Sequence, residues 1–114
     1  MAEEKKLPFE LAEGEVVEKE FASDYWEKIL FAYSQVRGRY YFTNQRVIFV
    51  TWGQVKFELP YNKMVAAESC NVGALLRFIP TGIKVTTDDN KTYMLSVTKR
   101  NENLEFIKAK MLQF

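Results

Sequence analysis

Histidine is absent from this sequence and cysteine occurs once, as Cys70. Without histidine the chain lacks the commonest general base, and without a Cys-His pair it has no activated thiol nucleophile. A zinc site built from Cys and His is excluded by the same shortage, and no metal or cofactor is expected. One thiol closes no internal disulfide, so nothing points to an oxidising compartment and Cys70 reads as a packing residue. Neither Gly-x-x-x-x-Gly-Lys nor Gly-x-Gly-x-x-Gly occurs, which leaves nucleotide chemistry and small-molecule turnover without a site. The expectation is that the chain is not an enzyme.

No apolar run approaches the roughly 20 residues needed to cross a bilayer, and Met1 to Lys6 contain no signal-peptide core, so a cytoplasmic protein is expected. Asn90-Lys91-Thr92 is formally a glycosylation sequon that such a protein would never present to the machinery. Charge of one sign is also lacking: 16 Lys and Arg face 15 Asp and Glu, a net charge of +1, so no global field attracts nucleic acid or anionic lipid. The distribution is less even. Residues 1–20 hold seven Glu and three Lys, leaving thirteen basic and eight acidic residues over 21–114. An acidic arm beside a mildly basic body hints at an acidic partner, although an ordinary solvated surface gives the same pattern.

What is present is apolar and aromatic. At 47% hydrophobic and 15% aromatic, 114 residues make one packed domain rather than a disordered chain. Residues 1–10 read as a charged N-terminal arm and 11–114 as the domain. Tyr25 to Val36 and Tyr40 to Trp52 are strand-like, with Arg37-Gly38 and Gly53 as expected reversals. Val55, Phe57, Leu59 and Tyr61 alternate with polar residues, and Pro60, which cannot donate to a ladder, belongs at an edge or a strand end. Ile83, Val85 and Thr87 are followed by turn residues Asp88 to Lys91 and then by Tyr93, Leu95 and Val97, a further hairpin. After Thr98 the period becomes helical. Leu104, Ile107, Met111 and Phe114 form one stripe, with Thr98 or Asn101 as the expected cap. The class is α+β, mostly β: a bent antiparallel sheet or partly open barrel plugged by a C-terminal helix.

The segment Gly38-Arg39-Tyr40-Tyr41-Phe42-Thr43-Asn44-Gln45-Arg46-Val47-Ile48-Phe49 resembles the strand-turn-strand signature of GRAM and bacterial pleckstrin-homology-like domains. Leu11 to Glu15 is similar to their entry motif, Leu59-Pro60-Tyr61 to the strand closing the first sheet, and Thr81 to Val97 to the following hairpin. The resemblance spans roughly residues 11–112. It implies a barrel of two near-orthogonal antiparallel sheets with a helix across one end. Gly38, Thr43, Asn44 and Arg46 carry the fold signature, and each has a ligand-free reading: a positive φ at Gly38, local backbone bonds from Thr43 and Asn44, and a carboxylate or carbonyl partner for Arg46.

Two other chemistries fail on inspection. An EF-hand counted from Asp88 would need Gly where Tyr93 stands and Glu where Lys99 stands. Arg39 and Tyr40 break the RNA-recognition pattern that Arg37 to Phe42 superficially suggests, so nucleic acid is not an expected partner. Cys70 to Phe78, expected to join the two sheets, is more apolar than a solvated connection, which makes Leu75, Leu76 and Arg77 a candidate partner-contact lip. The function expected is a non-catalytic binding or scaffold module for protein association, self-association included. A peripheral membrane lipid-binding domain is the alternative. Phosphoinositide recognition is disfavoured because the stretch taken as the first hairpin turn, Phe21 to Trp26, carries no basic residue.

Overall fold

Alternating aromatic and β-branched residues carry most of this chain into one antiparallel sheet. The computed structural model describes residues 7–30, 32–73 and 79–114. Along them run β1 (Val17–Ile29), β2 (Ala32–Thr43), β3 (Arg46–Thr51), β4 (Gln54–Pro60), a 3-10 turn (Tyr61–Lys63), β5 (Met64–Val72), β6 (Ile79–Thr87), β7 (Thr92–Ser96) and α1 (Arg100–Met111). The strand order is β4-β3-β2-β1-β7-β6-β5. β1 is the pivot: it pairs with β2 from Val17 to Ile29 but with β7 only over Asp24, Tyr25 and Trp26. The two halves implied by the resemblance are therefore one strongly curled sheet, a half-barrel with the helix as its cap.

The concave side is filled by Tyr40, Phe42, Val47, Phe49, Leu59, Ile83, Val85, Leu95 and Ile107, all at most 2% exposed. The curl brings β4 toward β1 and β7: the Phe57 ring lies 4.7 Å from Tyr25 and 5.2 Å from Tyr93. α1 closes one end with Leu104 and Ile107, while Phe106 sets its ring 5.7 Å from Phe42. Burying three such side chains contributes roughly 5 kcal/mol or more, the size of a whole domain's net stability.

Several expectations need correction. Arg37-Gly38 is no reversal but the middle of β2, and the chain turns between Ile29 and Ala32 instead. Gly38 is required by crowding rather than by a positive φ: a Cβ there would lie 2.5 Å from Phe49 Cζ and clash with the Val50 carbonyl. Phe21 to Trp26 accordingly sits inside β1, and the first turn is flanked by Lys28. The link between the β4 side and the β5 side is the Tyr61–Lys63 turn, whereas Cys70 and Val72 belong to β5 and residues 74–78 lie outside the described residues. Neither Thr98 nor Asn101 caps α1. Lys99 holds that position in the left-handed region (φ 49°), and the Asn103 side-chain amide donates to Thr98 O at 2.6 Å. The helix also stops at Met111, which leaves Phe114 outside it and 60% exposed. Pro60 does end β4, an edge strand, and Asp88 to Lys91 does form the β6–β7 turn.

Candidate functional site

β3 is six residues long, so its two turns lie roughly 17–20 Å apart. They are built on opposite principles. At the β2–β3 turn every signature side chain is engaged. Arg46 grips Glu15 with two nitrogens, Nε to Oε2 at 2.8 Å and Nη2 to Oε1 at 2.9 Å. Its remaining donors reach Glu58 Oε2 at 2.8 Å and Glu10 O at 2.8 Å. Thr43 Oγ1 donates to Glu15 Oε2 at 2.7 Å and accepts from the Arg46 amide at 2.9 Å. Asn44 accepts from Val16 N at 2.8 Å and donates to Gly14 O at 3.0 Å.

The consequence is a strap. Residues 10–16 are tied to the turn, and Phe9 lies 5.0 Å from Tyr41 on the convex face. Burial by itself would raise the Glu15 carboxyl, but hydrogen bonds from Arg46, the Ala12 amide and Thr43, with the Arg46 charge, outweigh it and hold the group below the usual carboxylate range. Arg46 is raised in turn, chiefly by its bond to Glu15. A cleft of about 680 Å³ beside this cluster is lined by Asn44, Gln45, Arg46, Glu58 and Phe114, and most of its polar wall is already committed internally.

The β3–β4 turn is different. Trp52 and Gly53 both have positive φ, 53° and 73°, between the paired residues Thr51 and Gln54, the geometry of a two-residue hairpin that favours Asn-Gly. Trp52 is 96% exposed. Strand alternation places Arg37 on the convex face with Arg39 and Tyr41, opposite the buried Tyr40 and Phe42. Gln35, Val36, Arg37, Thr51 and Trp52 line one shallow cleft of about 650 Å³. Arg37 also borders a second recess of about 380 Å³ with Ala22, Ser23, Asp24 and Gly38. Among the described residues its side chain has no hydrogen-bond or ion-pair partner; its register neighbour Asp24 accepts from Gln35 Nε2 at 2.8 Å instead.

Of the residues singled out by sequence, Thr43, Asn44 and Arg46 come together around Glu15, while Gly38 sits further along β2. Leu75, Leu76 and Arg77 lie outside the described residues. Trp52 and Arg37 were missed as a pair because their proximity depends on the β2–β3 register; a Trp before Gly in a hairpin turn was the available signal. Among the described residues no group of three His, Cys, Asp or Glu is placed to hold a metal ion.

A curled antiparallel sheet capped by one C-terminal helix is the architecture of a pleckstrin-homology-like fold. The GRAM domain family model matches residues 3–114, and the chain belongs to that family, whose members are membrane- and protein-interaction modules. The fold is similar to the crystal structure of the C-terminal domain of an unknown protein from Leishmania infantum, with a TM-score of 0.65, 17% identity, and coverage of 88% of this chain and 87% of that one. No curated protein matches the chain.

Proposed function

We propose that the chain is a non-catalytic docking module of the cytoplasm that associates with a protein partner, a second copy included, and that Trp52 is its anchor. The observation carrying this reading is a large aromatic held fully exposed in a left-handed turn, where a bulky side chain costs about 1 kcal/mol. No internal ring contact offsets that cost among the described residues. At protein interfaces a buried Trp anchor is worth about 2 kcal/mol or more, which would offset it on binding. The test is capture from native lysate with the wild type and Trp52→Asn side by side, Asn-Gly being the pair this turn prefers. A partner held by the wild type and lost by a variant with an unchanged melting temperature supports the reading. Identical captures by the two proteins overturn it.

A second reading, peripheral attachment to a lipid surface, is favoured by Leu30, which is 83% exposed in the β1–β2 turn beside Lys28. Antiparallel order puts that turn and the Trp52 turn at the same strand ends. Lys56 is engaged by Glu27 at 3.1 Å and Arg39 by Glu20 at 3.0 Å, leaving Lys28 and Arg37 as the cations here without such a partner among the described residues. At about 1 kcal/mol per basic residue near an anionic bilayer, two supply only weak attraction, so this reading ranks second.

A further inference from the structure

We propose that Arg37 and Trp52 together recognise an acidic segment of an extended protein chain, a carboxylate meeting the guanidinium and a neighbouring apolar side chain covering the indole. This rests on the docking reading above and adds the chemistry of the partner. Arg37 forms the shared wall of two recesses, one of them floored by the Trp52 turn. A guanidinium presents paired donors that match a carboxylate in two parallel bonds. Arg46 shows that geometry inside this same molecule, with both Glu15 oxygens occupied. Arg37 has the same chemistry and no internal acceptor among the described residues; Asp24, across the strand pair, accepts from Gln35 and makes no ion pair with Arg37.

Spacing fits an extended occupant. Arg37 lies on β2 and Trp52 in the turn that leaves the neighbouring β3, and neighbouring strands lie about 5 Å apart. Side chains two apart on an extended chain are separated by about 7 Å, so an acidic and an apolar residue at that interval reach both groups. A bilayer surface calls for a cluster of cations, whereas one unpaired guanidinium beside one indole matches a residue pair.

The two tryptophans separate cleanly as reporters, since Trp26 is 8% exposed and Trp52 is 96% exposed. The probe is a capped hexapeptide, Ser-Glu-Ser-Leu-Ser-Ser, with Glu and Leu two residues apart on one face of the extended chain, titrated while following tryptophan emission and acrylamide quenching. The expected result is a blue shift with protection of the exposed tryptophan. Arg37→Glu should melt with the wild type, weaken this binding roughly tenfold or more, and gain affinity for the matching Lys-Leu hexapeptide. Equal binding of both peptides by the wild type, or no emission change with the Glu-Leu peptide at millimolar concentration, overturns the proposal. An emission change produced only by phosphatidylserine vesicles overturns it in favour of a bilayer. A lysate partner lost by Trp52→Asn but retained by Arg37→Glu removes acidic recognition and leaves the docking reading standing.

Discussion

Each end of β3 has an arginine beside it, and the two arginines are put to opposite use. At one end an arginine, a threonine and an asparagine are consumed by internal partners, down to the second guanidinium nitrogen. At the other an arginine is left without a partner among the described residues and a tryptophan faces solvent in a conformation that suits asparagine or glycine. A polar cluster that satisfies itself explains its own composition through stability. A strained and exposed aromatic does not, so the Trp52 end is where an external partner should be sought.

The largest effect that would test this contrast comes from the cap that both ends depend on. Deleting residues 102–114 removes Leu104, Phe106 and Ile107 from the mouth of the half-barrel, and cooperative thermal unfolding should vanish. A truncated chain with an unchanged transition would mean that the core does not rely on α1. Next in size is the strap. Glu15→Ala leaves Arg46 partly buried without its bidentate acceptor and should cost about 3 kcal/mol in denaturant unfolding, since loss of one member of a buried ion pair typically costs 3–5. A loss below about 1 kcal/mol would show that the cluster is ornamental to stability.

Proton linkage gives a smaller, signed test. Glu15 is depressed in the fold, so its contribution is complete above its unfolded pKa of about 4.3 and is lost as pH falls below that value. Glu15→Gln should flatten the acid limb of a stability-versus-pH curve. The tyrosines act in the other direction. Burial pushes Tyr25 up to about 12, and Tyr40 and Tyr61 are also raised by burial. Their contribution is complete below about pH 10 and declines above it, because the unfolded chain releases those protons first. An alkaline limb that stays level to pH 11.5 in chemical denaturation would contradict the burial of these hydroxyls.

Much of the half-barrel is legible in alternation alone: Ile83 and Val85, Leu59, Leu95 and Val97 all face the core, as their period requires. The errors share a cause. Glycine after arginine suggests a turn at Gly38, but there it admits the Phe49 ring from the neighbouring strand, a crowding that only the register reveals. Misplacing that reversal moved the first hairpin turn from residues 29–32 into the middle of β1 and hid Lys28 beside it. The cap was not legible because Lys99, in the left-handed region and with no side-chain cap bond, starts the helix, while the Asn103 side chain inside it donates to Thr98 O. Arg46 was readable as a residue in need of a carboxylate, but Glu15 could be named only after folding brought two positions 31 residues apart into contact.

The claim that the two ends are built for different purposes is tested most directly by Trp52→Asn, measuring its melting temperature and its retention of the captured partner in the same preparation. The expected result is a melting temperature equal to or above that of the wild type, because Asn relieves a left-handed Trp, together with loss of the partner. A lower melting temperature with the partner retained would place Trp52 among the structural residues and contradict the claim.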